Sequence, residues 1–163
     1  MGETISKISY LAEGIFAPDF ALNTDTKGTV VLSELKGKNV VLYFYPKDDT
    51  SGCTTEAIDF TGLLKSFEVN NTIVIGVSKD TIEKHQKFRE KHNLSVILAS
   101  DVEGTVCEAY DTWVEKSMYG KTYMGISRDT FLIDKEGMIQ KIWRKAKVKN
   151  HAETVLEAVK TLD

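Results

Sequence analysis

The segment Pro46-Lys47-Asp48-Asp49-Thr50-Ser51-Gly52-Cys53-Thr54-Thr55-Glu56 holds the residues best suited to chemistry. An apolar run from Val40 to Tyr45 stops at Pro46, a short polar loop follows, and a helix begins near Cys53. In an α/β sheet the crevice beyond the strand carboxyl ends is where ligands bind. A helix N-terminus there offers unsatisfied N–H groups and about half a positive charge, and both favour thiolate over thiol. Cysteines at helix N-termini or beside cations have pKa values of roughly 3.5–7.5, against about 8.5 for a free thiol. The competing reading is a packed core cysteine, since free cysteine is among the most buried residue types. A core cysteine belongs on an apolar stripe, whereas Cys53 has Thr50, Ser51, Gly52, Thr54 and Thr55 around it. The local chemistry favours a reactive thiol.

Composition narrows the setting. A chain of 163 residues can bury one good core and is short for two ordinary domains, so residues 1–163 are expected to form one. Hydrophobic residues make up 42% and charged residues 28%, with a net charge of −3, which gives no general reason to bind nucleic acid or a membrane surface. The N-terminus lacks a basic stretch followed by an apolar one, so a secretory signal is not expected. Met1-Gly2 with Ser6 fits a myristoylation pattern loosely, without a basic patch to serve as second anchor. No apolar run approaches the ~20 residues of a membrane span. Two cysteines far apart are too few for a disulfide framework and lack the close spacing of metal sites. A reducing compartment, the cytoplasm, is the expectation.

The elements that must position Cys53 follow from periodicity. Val40–Tyr45, Thr72–Val77 and Ser95–Ala99 are continuous apolar runs of the kind found in strands covered on both faces. Between and after them lie helical stripes: Ala57, Phe60, Leu64 and Phe67; Ile82, His85, Phe88 and Arg89; Val106, Ala109, Tyr110 and Trp113. Thr130–Ile133 and Met138–Trp143 flank Asp134-Lys135-Glu136-Gly137 as a hairpin. Asn150 is expected to cap a last helix with Glu153 at the N3 position and Ala152, Val155, Leu156 and Val159 inward. Residues 16–35 form an added N-terminal β-hairpin turning at Lys27-Gly28. This order predicts an α/β protein with a mixed central sheet and helices on both faces, in the thioredoxin-like architecture.

The pattern Pro46-x-x-x-Thr50-x-x-Cys53 resembles the peroxidatic motif of the peroxiredoxins. The longer string from Tyr43 to Glu56 resembles their bacterioferritin comigratory protein (PrxQ) subfamily, as do Ala17-Pro18-Asp19-Phe20, residues 115–121 and residues 125–134. The resemblance implies a thiol peroxidase that reduces hydrogen peroxide and organic hydroperoxides through a sulfenate on Cys53, in antioxidant defence. By the same resemblance Pro46, Thr50 and Arg128 are the other active-site residues. Cleaving O–O puts negative charge on the departing oxygen, and donors aimed at that charge lower the barrier. The Cys53 backbone N–H, the Thr50 hydroxyl and the Arg128 guanidinium are suitable donors, and Arg128 also favours the thiolate by charge. Without the resemblance, Arg128 reads as a surface arginine at a strand start. Pro46 would shield the sulfur from water. Glu56, in the first helical turn, would suit the helix dipole and orient Arg128. No metal, haem or flavin is implied. The reductant would be thioredoxin, glutaredoxin or a small thiol, and the assembly a monomer or weak homodimer.

Several positions depart from the subfamily's pattern. Ser51 stands where a proline is usual, and Asp129 where serine is usual; an acid there would pair with Arg128 or point outward. Many relatives carry a resolving cysteine five positions after the peroxidatic one, where this chain has Ile58, and the helix from Thr81 to His92 holds no cysteine either. Cys107, at the edge of its stripe, is expected to be a half-buried structural residue, which leaves a one-cysteine route with an external thiol. His85 and His92 lie ~10 Å apart along one helix, too far for a shared metal, and are expected at a stripe edge. Lys141, Arg144, Lys145, Lys147 and Lys149 suggest a charged edge strand. Trp113, Met118, Tyr119 and Tyr123 fit a pocket lining or a core equally well. Two rival functions are weaker: a cysteine hydrolase lacks a histidine near the site, and a redox switch would not turn over.

Overall fold

The computed structural model describes residues 11–162, so the Met1-Gly2 pattern lies outside the described residues. Strands β1 (Ala21–Thr24) and β2 (Thr29–Val31) form the N-terminal hairpin, and β3 (Asn39–Phe44) leads towards helices α1 (Ser51–Gly62) and α2 (Leu64–Val69). Then come β4 (Thr72–Ser78), α3 (Ile82–His92), β5 (Ile97–Ser100) and the short α4 (Thr105–Ala109). The chain continues through β6 (Trp113–Met118), β7 (Lys121–Ile126), β8 (Asp129–Ile133), β9 (Ile139–Trp143) and α5 (His151–Lys160). Seven strands form one mixed sheet in the order β2-β1-β5-β4-β3-β8-β9, while β6 and β7 pair only with each other. Strands β3, β4 and β5 are mutually parallel, and β8 runs antiparallel beside β3. The basic segment follows β9, which is indeed a sheet edge.

Alternation along β3 divides the interior. Val40, Leu42 and Phe44 enter one core with Phe131, Tyr110 and Cys107. Val41, Tyr43 and Tyr45 enter the other with Cys53, Phe60, Phe67, Phe88 and Leu156. Successive strand residues point to opposite faces, so these cores lie on the two sides of the sheet. Helices α1, α2, α3 and α5 build the second core, and α4 contributes to the first.

Local chemistry moved several boundaries. The stripe from Ala57 to Phe67 is broken at Leu63 into α1 and α2. The stripe expected to run to Trp113 ends at Ala109, because Asp111 adopts φ 55° and the Thr112 N–H returns to the Cys107 carbonyl at 2.9 Å. Trp113 instead starts the β6–β7 hairpin, which the helical pattern had hidden. Asn150 occupies the expected cap position of α5, but at φ 60° its side chain makes no capping hydrogen bond. N-caps usually hold an extended conformation that brings the side chain back to the helix amides.

His85 is not at a stripe edge. It is fully buried, with Nδ1 2.6 Å from Asp48 Oδ2 and Nε2 3.0 Å from the Ala99 carbonyl. Burial pulls its pKa down, but the hydrogen bond and charge of Asp48 outweigh this and raise it. Tyr45 donates to Asp48 at 2.5 Å, and the Asp48 N–H donates to Asp80 at 2.8 Å. Asp48, Asp80 and His85 offer ligand atoms within 4.8 Å of one another, yet both imidazole nitrogens are already engaged. The cluster is a strut that ties the loop before α1 to α3. His85→Ala would strand the Asp48 carboxylate in the interior, and we expect a loss of about 3 kcal/mol in urea denaturation at neutral pH. A loss below about 1 kcal/mol would show that the strut is dispensable.

Candidate active site

Helix α1 starts at Ser51, with the Thr54 N–H bonded to the Thr50 carbonyl at 2.8 Å. The amides of Ser51, Gly52 and Cys53 therefore lack acceptors within the helix. Cys53 is the third helical residue, and its own N–H is one of these free donors. Thr50 holds the N-cap position in an extended conformation without capping the helix; its hydroxyl donates to the Lys47 carbonyl at 2.9 Å. With that proton committed, Thr50 offers an incoming ligand an acceptor, not the donor expected from sequence. Asp49, at φ 60°, turns the loop and is gripped from α3 by Lys91 and His92, both at 2.8 Å. Hydrogen bonds from these two hold the Asp49 carboxyl below its usual range.

Cys53 is only 1% exposed, packed among Tyr43, Tyr45, Ala57 and Phe60. The two sequence readings thus meet: the thiol is buried like a core cysteine and also sits at a helix start. Arg128 reaches it from the start of β8, because β8 lies beside β3 with Phe44 opposite Asp129. Its Nη2 stands 3.5 Å from Cys53 Sγ and its Nη1 donates to Glu56 Oε1 at 2.7 Å. Arg128 is thus not a free surface arginine. Gly52 makes the approach possible: a Cβ there would lie 2.9 Å from Arg128 Nη2.

Glu56 orients Arg128 as expected, but from the second turn of α1, where the helix dipole has little to give. It is buried, and burial, opposed by Arg128, raises its pKa to about 7. Its Oε2 and the nearby Tyr43 hydroxyl lack hydrogen-bond partners among the described residues. Burial pushes the Tyr43 hydroxyl well above its ordinary pKa, with the charge of Glu56 the next cause. Beneath the site, burial and then Arg128 lower His151 to about 4, and Thr130 Oγ1 lies 2.8 Å from its Nε2.

Asp129 neither pairs with Arg128 nor points outward. It is buried, with Arg144 Nη1 at 2.8 Å, the Lys145 N–H at 2.9 Å and Ser127 Oγ at 2.7 Å. Cys107 is not half-buried but fully so, and its N–H donates to Asp101 at 2.7 Å. Burial, then the Asp101 hydrogen bond, pushes its thiol pKa far up. Pro46, half-buried, borders a half-open depression of about 430 Å³ that Lys47, Trp113, Lys116 and Tyr123 also line. Burial, then the Arg128 charge, lowers the pKa of Lys116, while Cys53 acts the other way. Gly52, Lys116 and Tyr43 were not singled out from sequence, although each lies inside a quoted block.

A buried acid with a raised pKa has a defined pH signature. Between about pH 4.5 and 7 the folded protein keeps the Glu56 proton that the unfolded chain has lost, so stability falls as pH rises through that window. Glu56→Gln should flatten the fall by on the order of 3 kcal/mol in denaturation curves taken from pH 4.5 to 8. Parallel curves for the two proteins would mean that Glu56 titrates normally.

The AhpC/TSA family pattern matches residues 14–142. Peroxiredoxin Bcp of Bacillus subtilis is 54% identical over 146 residues, covering 90% of this chain and 93% of the relative. A PrxQ mutant structure from Xylella fastidiosa superposes with a TM-score of 0.88 at 38% identity, over 93% of this chain and 97% of that one. The Xanthomonas campestris bacterioferritin comigratory protein, whose structures concern alkyl peroxide reduction, matches with a TM-score of 0.82 at 41% identity, over 86% and 90%. With this fold and these relatives, the chain belongs to the AhpC/TSA family, in its Bcp (PrxQ) peroxiredoxin branch, and is a thiol-dependent peroxidase.

Proposed function

We propose that Cys53 is the peroxidatic nucleophile, that hydrogen peroxide and organic hydroperoxides are its substrates, and that an external thiol completes the cycle. The observation that carries this reading is the Arg128 guanidinium against Cys53 Sγ at an α1 start with free amides. The thiolate attacks one peroxide oxygen, an S–O bond forms, the O–O bond breaks, and the departing oxygen leaves as water or an alcohol after taking a proton. Arg128 and the Cys53 N–H are placed to meet the charge that develops on that oxygen. Thr50 accepts the hydroperoxide O–H and so orients it, and Pro46 limits water. The alkyl peroxide activity of the Xanthomonas relative supports the organic substrates.

Cys107 lies in the core on the far side of the sheet, which supports resolution by thioredoxin, glutaredoxin or a small thiol. Both cysteines are free, in keeping with a reducing cytoplasm. One seven-stranded sheet supports a single domain over the described residues 11–162, and a monomer or weak homodimer completes the reading.

Peroxide consumption driven by dithiothreitol tests this directly. Cys53→Ser should lower turnover by more than about a thousandfold, while Cys107→Ala should stay within about twofold. A folded Cys53→Ser protein with near-normal turnover would end the assignment, and lost activity in Cys107→Ala would return the second cysteine to the cycle.

Gly52→Ala probes Arg128 without touching a charge. The atom in the way is the end of a flexible side chain, and alanine is worth about 1 kcal/mol over glycine within a helix. We expect a Tm close to wild type, since Nη1 can keep its Glu56 contact while Nη2 gives way, and a second-order rate with peroxide reduced by about tenfold or more. An unchanged rate would show that the approach of Arg128 to the sulfur does not govern the reaction.

A further inference from the structure

We propose that the β6–β7 hairpin is the docking surface for a protein dithiol reductant whose thiols are surrounded by an apolar face with an acidic rim. The inference rests on the external-thiol reading above and names the surface and partner that serve it.

With Cys107 across the sheet and Cys53 nearly enclosed, a reducing sulfur must come from outside. The depression lies over Pro46 and Lys47 of the loop that leads to Cys53, and the hairpin forms one of its walls. Met118, Tyr119, Tyr123 and Met124 are 55%, 95%, 45% and 48% exposed, half of the large apolar side chains that stand in solvent among the described residues. The remainder, Phe16, Ile58, Val69 and Val102, are scattered over separate elements. Met118 and Tyr123 share one hairpin face with Tyr119 at its tip, while Met124 faces the other way, and a methionine–tyrosine grouping of this kind suits an interface.

Tyr119 carries a second indication. It occupies the hairpin turn at φ 53° beside Gly120 at φ 77°, where asparagine-glycine is the easy choice. A bulky ring in the left-handed region with almost full exposure gains nothing from the fold, which points to a contact made with another molecule.

Charge then selects the partner. Cross-strand register places Val114, Lys116, Met118, Lys121, Tyr123 and Gly125 on one hairpin face. That face holds two lysines and no acid; the hairpin's one carboxylate, Glu115, pairs opposite Met124 on the other face. Lys47, exposed beside Pro46, extends the positive border, whereas Lys79 lies 4.1 Å from the ring centroid of Trp113, on the Glu115 side of the hairpin. Asp80, also in the depression, is occupied by Ser78 Oγ at 2.7 Å and the Asp48 N–H. An apolar strip with a cationic edge complements an acidic partner.

On this surface one partner thiolate attacks the Cys53 sulfenic acid. An S–S bond forms, the S–O bond breaks, and the oxygen leaves as water with a proton. The partner's second thiol then attacks the partner sulfur of the mixed disulfide, which releases the Cys53 thiolate and leaves the partner oxidised as a disulfide.

The test compares wild type with a Met118→Ser, Tyr119→Asn, Lys121→Glu variant; asparagine preserves the turn. Peroxide turnover is followed with dithiothreitol and, separately, with thioredoxin recycled by its reductase and NADPH. Dithiothreitol turnover should stay within about twofold, while kcat/KM for thioredoxin should fall by about tenfold or more, roughly one hot-spot contact. Equal thioredoxin rates in the two proteins would overturn the proposal. So would equal losses with both reductants, which would place the hairpin in the chemistry or the fold. A wild type active with dithiothreitol but not with thioredoxin would refute the docking surface and leave the external-thiol reading intact, whereas a wild type inactive with both would refute that reading. A wild-type dimer that the variant splits in sedimentation velocity, with thioredoxin rates unchanged, would assign the hairpin to a second copy of the chain and overturn the proposal.

Discussion

The Arg128 guanidinium, joined to Glu56 on one nitrogen and to Cys53 on the other, is the interaction on which the site depends. A half-buried cation is tolerated only where partners stand ready, and much of the local structure supplies them. Strand β8 must lie beside β3 for Arg128 to begin next to the end of the strand that leads to α1. Gly52 must lack a side chain for Nη2 to arrive. His151, with Nε2 2.8 Å from Thr130 Oγ1, is held neutral by burial and then by Arg128. Asp129, the next residue, is occupied by Arg144 and two other donors, and Arg128 is left to Glu56 and Cys53.

The loop before α1 is fixed from a different direction. Asp48 is held by His85 and Tyr45 in the interior, and Asp49 by Lys91 and His92 at the surface. Three of these four partners belong to α3, so a helix that contributes nothing to Cys53 directly sets where its helix begins. The surface pairs are worth little singly in water, and the buried pair carries most of the restraint. The Asp48–His85 contact and the Arg128–Glu56 contact grip the two sides of the Cys53 turn, and each would be strongly destabilising if one partner were lost.

The candidate site was legible in the sequence because its signals are local. Cys53 stands out by its polar neighbours, and Pro46, Thr50 and Arg128 follow from the family resemblance. Strands β3 and β4 were legible because strands buried on both faces leave uninterrupted apolar runs. What stayed hidden depends on distant partners or on single backbone angles. His85 sits on an ordinary helical stripe, and only the arrival of Asp48 and the Ala99 carbonyl turns it into a strut. Asp129 offered no local hint of Arg144. The β6–β7 hairpin was masked because Val106, Ala109, Tyr110 and Trp113 keep helical spacing across the left-handed residue that ends α4. The Tyr119-Gly120 turn was its available signal, weakened by an aromatic residue at a position that favours asparagine.

The sheet between the two cysteines constrains how the cycle can close. A disulfide needs Cα atoms about 4.4–6.8 Å apart, and two thiols anchored in cores on opposite faces cannot meet that requirement by rotamer changes. A cysteine at position 58 would face a different obstacle, since five residues turn the helix by about 140° beyond a full revolution and rise about 7.5 Å. Joining it to Cys53 would require the first turns of α1 to unwind, with loss of the Arg128–Glu56 contact and the packing of Ala57 and Phe60. This chain has Ile58 there, 46% exposed. The proposed external route needs no bond to position 58 or 107, so it does not call for α1 to unwind over its first turns. With Cys53 only 1% exposed, the proposed reductant needs a local opening around one sulfur, a smaller demand than the unwinding of α1 that a bond to position 58 would require.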